Sequence, residues 1–345
     1  MLIIENGDVY TPSPRGKTTI VVAGGRIEKI GDVSASDLRA LDPQVIDATG
    51  CIIVPGLIDG HIHLIGGSGE KGFASATPGI SARELLAAGT TTVVGLLGTD
   101  TTTKTLPSLL AKVKALRAEG MNALMWTGGY DARSLTGNVR DDIVLIEEII
   151  GAGEIAIADR RGAHFDARSL ARLASDCFVA GTLTGKAGVL HMHTGELSSR
   201  LSIVREMLEL GIPAASLHPT HVNRNPELFA EAIELTRRGV TVDLDLVDED
   251  LADWLRRYDG DRSMLTISTD APIGRVASLL EQIVIVVREN VFSIEEAFAL
   301  ATRNPARVLK LNDVGEIAEG KRADLLMLDA NTLELREVIA GGQRV

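Results

Sequence analysis

Apolar residues along the chain follow two rhythms. Short runs of four to eight, rich in Val, Ile and Thr, recur at 57–63, 90–97 (TTTVVGLL), 122–127 (NALMWT), 154–158 (EIAIA), 188–193 (GVLHMH), 215–221 (ASLHPTH), 240–245 (VTVDLD) and 264–270 (MLTISTD). Between most of them lie segments with helical spacing, such as SARELLAAG, LLAKVKALRAEG and PELFAEAIELTRRG. Ser81 with Glu84, and Ser293 with Glu296, have the spacing of capping boxes and mark helix starts. Eight strands alternating with helices predict a parallel (β/α)8 barrel of the TIM type, over residues 56–311. The two ends differ. LIIENGDVY, TTIVVAGGRIEKIG and QVIDATGCIIV at the start, and ADLLMLD, LREVIA and GGQRV at the finish, are β-rich with turn signals and no helical period. They predict one small β-sandwich domain made of residues 1–55 and 312–345.

Composition narrows the function classes. A chain of 345 residues, 45% hydrophobic, buries a sizeable core. Its 3% aromatic content disfavours a base- or sugar-stacking surface, and its net charge of −12 disfavours nucleic acid and anionic membrane. Two cysteines, Cys51 and Cys177, are too few for a disulfide framework or a thiolate zinc site. The start MLIIENGDVYTP lacks a basic region followed by an apolar core, and no apolar run reaches spanning length. A cytoplasmic protein is the expectation.

In a barrel of this kind the working residues stand at the C-terminal ends of the strands. His61 and His63, two apart on the first strand, point the same way. His191 ends the fifth strand, His221 the sixth and Asp270 the eighth. Any one of these alone is an ordinary core or surface residue. Four imidazoles and a carboxylate converging on one rim suit zinc or a similar borderline ion.

These residues carry a resemblance. The HxH on the first strand, the later histidines, the STD ending in Asp270, and the stretch NPARVLKLNDVGEIAEGKRADLLMLD resemble the amidohydrolase superfamily. HIHLIGGSGE, TTVVGLLGTD, WTGGY, AIADRR and LHPTHVNRN are similar to its isoaspartyl dipeptidase family in particular. The resemblance spans nearly the whole chain. It implies hydrolysis of the side-chain amide of β-aspartyl dipeptides by a hydroxide bridging two divalent metals, most often zinc. It implies metal ligands His61, His63, His191, His221 and Asp270, with Asp270 also moving the proton and Tyr130 steadying the oxyanion. Glu70 corresponds to the partner of the substrate's α-amino group, Arg161 and Arg224 to those of its α-carboxylate, and Thr99 to a further polar contact. A homo-oligomer and a small dipeptide as partner are implied as well.

Three positions depart from the family. Its bridging carbamylated lysine is matched here by Glu154, whose carboxylate offers two oxygens and the same charge. HMH stands where the family continues HMG, and His164, His193 and His218 are not expected as ligands. The segment 245–263 is short, and Gly274 falls about where the family has a substrate-contacting serine. These changes leave two competing readings: a related N-acyl amino acid or cyclic amide as substrate, or a non-catalytic barrel without metal.

Overall fold

The computed structural model describes every residue except Ser68 and Glu70. Five strands come first: β1 (Leu2–Tyr10), β2 (Pro14–Ala23), β3 (Arg26–Gly31), β4 (Gln44–Asp47) and β5 (Cys51–Pro55). One residue later the chain enters the barrel strands β6 (Leu57–Ile62), β7 (Thr90–Gly95), β8 (Asn122–Thr127), β9 (Ile149–Ile157), β10 (Val189–Thr194), β11 (Leu217–Thr220), β12 (Val242–Asp245) and β13 (Leu265–Ser268). It returns through β14 (Leu325–Asp329), β15 (Leu335–Ala340) and β16 (Gln343–Arg344).

Strands β6 to β11 form one parallel sheet in sequence order, and β12 pairs with β13. Backbone bonds carry the circle across both gaps. The Val222 amide reaches the Asp243 carbonyl at 3.4 Å, the Asp270 amide reaches the His61 carbonyl at 3.2 Å, and the His63 amide reaches the Ala271 carbonyl at 2.8 Å. Asp59 on β6 reinforces the second seam, accepting from the Thr269 hydroxyl at 2.5 Å. The fold is therefore the predicted α/β barrel. Its helices begin as their sequences indicate, with both capping boxes formed at Ser81 and Ser293.

The terminal strands make a single sheet in the order β16-β15-β14-β5-β1-β2-β3, with β4 added beside β1. Period-two alternation gives this sheet two apolar faces. On β5 and its partner β14, Ile53 and Met327 join a core with Ile4, Ile20 and Ile27, while Ile52, Val54, Leu326 and Leu328 join the core shared with the barrel. The sheet thus rests on the barrel through one face and fills its own interior with the other.

The fourth barrel strand departs furthest from its expected limits. It begins at Ile149, not at 154, and takes in Gly151 and Gly153 as strand residues. A Cβ at Gly151 would stand 2.7 Å from the Trp126 ring, and one at Gly153 would stand 2.7 Å from the His191 Cβ. Here glycine makes room for two large neighbours inside the barrel. Among the described residues, no helix is long and apolar enough to cross a membrane.

Candidate metal centre and active site

Six side chains meet at the mouth. His61 comes from β6 and His63 from the residue after it; Glu154 comes from β9 and His193 from β10. His221 and Asp270 follow the ends of β11 and β13, in left-handed backbone with φ of 58° and 51°. Non-glycine residues seldom adopt that region, and here it turns both side chains inward as the strands finish. Glu154 lies at the centre. Its carboxylate oxygens are 2.9 Å from His193 Nδ1, 3.5 Å from His61 Nε2, 3.6 Å from His221 Nε2 and 3.7 Å from His63 Nε2. Asp270 Oδ1 is 3.1 Å from His63 Nε2 and 3.3 Å from His61 Nε2.

These donors fit a divalent cation on the structure's own terms. Three buried atoms, His61 Nε2, His221 Nε2 and Asp270 Oδ1, lie close to one another's side chains but make no hydrogen bond of good geometry among the described residues, and the same three residues form one cluster with ligand atoms all within 4.8 Å of one another. Buried polar atoms are seldom left unpaired, so three orphans aimed at one point mark a place for an ion. Two further groupings, His61–His63–Glu154 and Glu154–His193–His221, share the glutamate as a common corner. Imidazole with carboxylate suits zinc and its neighbours in the first transition row. The lysine that precedes β10, Lys186, stays out of these groupings and donates to the carbonyls of Ile143 and Ile146 at 2.6 Å each.

The expectation for the fifth strand is corrected. His193, not His191, joins the cluster. Both face inward, because they are two apart, but two residues of strand rise about 6–7 Å. His191 therefore lies a layer deeper, stacked on Trp126 with ring planes 10° apart, its Nε2 2.8 Å from His61 Nδ1.

Three buried carboxylates, Asp245, Glu154 and Asp270, set the local electrostatics. Asp245, which the sequence reading did not single out, holds His221 Nδ1 at 2.9 Å and so turns Nε2 toward Glu154. Asn223 braces the Asp245 backbone through both halves of its amide. Burial opposes charge on His221, but the Asp245 and Glu154 carboxylates outweigh it and raise its pKa to about 10. Burial likewise opposes charge on Glu154 and Asp270. The imidazoles facing them prevail and hold both carboxyls well below the usual carboxylate range.

Beside the cluster opens a cavity of about 260 Å³ lined by Tyr130, Arg161, His193, Arg224, Asp270 and Ile273 among others. The Tyr130 hydroxyl is 3.0 Å from His193 Nε2 and 3.1 Å from its Nδ1. Burial, then the nearby Glu154 charge, raises its pKa, so it remains a neutral donor at neutral pH. Asp159 grips the Arg161 guanidinium at 2.5 and 2.9 Å, and Arg161 stands over the Tyr130 ring at 5.3 Å. Arg224 is exposed at the rim and makes no ion pair among the described residues. Thr99 is half-buried next to Gly98, where an added Cβ would be 2.9 Å from the His63 ring. Glu70 lies outside the described residues. At Gly274 a Cβ would collide with the Thr269 carbonyl oxygen at 2.1 Å, so this tight turn has no room for a side chain there.

The profile of the amidohydrolase family matches residues 180–345. A β-aspartyl dipeptidase from Fervidobacterium islandicum AW-1, solved with a β-Asp-Leu dipeptide, is 33% identical, covers 99% of this chain and is covered over 96% of its own, and superposes with a TM-score of 0.92. A second structure of that enzyme gives 34% identity and 0.93. An adenine deaminase from Deinococcus radiodurans is 27% identical over 99% of this chain. The chain spans 61% of that relative's length and 57–59% of two further adenine deaminases.

Proposed function

The chain belongs to the amidohydrolase family, and on that premise we propose that it is a dinuclear metallo-dipeptidase acting on β-aspartyl dipeptides. The observation that carries the reading is the juxtaposition of three orphaned ligand atoms with a cavity bearing two guanidiniums. Two ions sharing Glu154 would supply Lewis acidity toward the amide carbonyl and activate water at neutral pH. Everything else falls to the chain's own groups. Asp270, ionised at neutral pH, accepts a proton from the attacking water and returns it to the leaving nitrogen. Tyr130 donates to the carbonyl oxygen as charge collects there. Arg161, held in place by Asp159, and Arg224 at the rim pair with the α-carboxylate of the aspartyl unit. Glu70 and Thr99 are assigned the α-amino group and a further polar contact on family resemblance.

Adenine deamination is the second reading, motivated by the relatives that align over 99% of this chain. Adenine is a neutral ring, however, and the cavity is lined by Arg161, Arg224, Asp245 and Asp248, with Tyr130 contributing its six-membered ring. Charges suit a zwitterionic head group better than a base. Zinc- or manganese-loaded protein should release aspartate from members of a β-aspartyl dipeptide panel that includes β-Asp-Leu, and leave adenine unchanged. Deamination of adenine, with no aspartate released from any dipeptide, would reverse the assignment. Native mass spectrometry checks the expected homo-oligomer.

A further inference from the structure

Below the ligand cluster the barrel interior is polar where a core is normally apolar. His191 and His218 are buried there beside Trp126, Thr266 and Asp243. His191 and His218 take no part in the proposed chemistry, yet they are linked end to end. We propose that Asp243, Thr266, His218 and His191 form a directional hydrogen-bond relay that fixes the tautomer of His61, leaving its Nε2 lone pair facing the ligand cluster. The inference rests on the metal reading above and assigns these four as positioning residues.

The direction follows from counting protons. Asp243 accepts three hydroxyls, Thr266 at 2.6 Å, Thr220 at 2.7 Å and Ser268 at 2.5 Å. A carboxylate acts as acceptor only, so each hydroxyl proton points at it. Thr266 has one proton, and with that committed its oxygen must accept from His218 Nε2, 3.0 Å away. A neutral imidazole carries one N–H, which makes His218 Nδ1 a bare acceptor. It faces His191 Nδ1 at 3.0 Å, so the proton in that contact belongs to His191. His191 Nε2 is then bare, and the proton in its 2.8 Å contact with His61 belongs to His61 Nδ1.

The outcome at the far end agrees with an independent observation. With Nδ1 protonated, His61 would coordinate through Nε2, and Nε2 is one of the buried atoms that make no hydrogen bond of good geometry among the described residues. A relay running the other way would place the proton on His61 Nε2 and block it as a ligand. Trp126 holds the middle ring in plane by stacking at 4.9 Å, and its own indole N–H is tied to the Gly60 carbonyl at 3.0 Å. Ligating imidazoles commonly give their second nitrogen to a carboxylate or carbonyl. Here the carboxylate is three groups removed, and two further imidazoles transmit its preference.

Nitrogen-15 spectra of labelled protein test this directly. In metal-free and zinc-loaded native protein alike, His191 should show a protonated Nδ1 with a bare Nε2, and His218 a protonated Nε2 with a bare Nδ1. Thr266→Val should scramble that pattern and weaken zinc binding, measured against a chelator, by about 10–100-fold. Thr266→Ser, which keeps the hydroxyl, should restore both. A protonated Nδ1 on His218 in native protein would overturn the relay, as would Thr266→Val protein with unchanged zinc affinity. Should native protein bind no zinc, the metal reading fails, while the spectrum of the same sample still decides the relay; it needs no variant to fold.

Discussion

His221 offers the sharpest quantitative test, because metal must compete there with a proton. Its pKa in the metal-free protein is about 10, against an ordinary value of 6.5, through the Asp245 bond at 2.9 Å and the Glu154 charge acting against burial. Raised in the fold, the protonated form stabilises the metal-free protein fully below pH 6.5, and that contribution is lost as pH rises through 10. Metal binding has the opposite sign. At pH 7 the proton is favoured by roughly three pH units, about 4 kcal/mol, which the ion must overcome. Zinc affinity should therefore rise about tenfold per pH unit from 7 toward 10, and a pH-stat at pH 8 should record at least one proton released per chain on loading. Asp245→Asn removes the chief partner of the charged imidazole. The slope should flatten, and at the alkaline end, where no proton competes, the variant should bind about 10–100-fold more weakly than native protein, since Nε2 has lost its orienting carboxylate. Native zinc affinity that is level between pH 7 and 9.5, with no proton released, would refute the argument.

Other outcomes follow from the same geometry. His193→Ala should reduce bound metal from two ions to one per chain by elemental analysis, because it dismantles the grouping with Glu154 and His221 and leaves the one with His61 and His63. Tyr130→Phe should lower kcat on a β-aspartyl dipeptide by about 10²–10³-fold with metal content unchanged, as expected for one lost oxyanion donor. Trp126→Ala, at a fully buried position, should cost about 3–5 kcal/mol in denaturant unfolding and loosen His191 as well.

Much of this architecture is readable from residue order alone. Alternation and helical spacing place all eight barrel strands, and the β-rich ends meet in one sheet. His61, His63, His221 and Asp270 were expected at the mouth because strand ends gather there. What escaped was depth. Period two says which face a side chain takes, not which layer it occupies, so His191 and His193 were equivalent until the strand's rise was fixed by its neighbours. The fourth strand was cut short for a related reason. The glycines of IIGAG weaken its strand signal, whereas in the fold the missing side chains at Gly151 and Gly153 accommodate Trp126 and His191 from adjacent strands. Asp245 was hidden because an aspartate ending a strand looks like a turn residue until the histidine that follows the preceding strand lies 2.9 Å away.

The pairing of β5 with β14 also shapes how the protein must be made. Pro55 lies opposite Leu325, with the whole barrel sequence in between. At bacterial or eukaryotic ribosome speeds of about 5–20 residues per second, β5 emerges roughly 15–50 s before its neighbour exists. Through that interval Ile52, Ile53 and Val54 form an open, sticky edge in the nascent chain. Slowing synthesis across the barrel would lengthen the period of exposure.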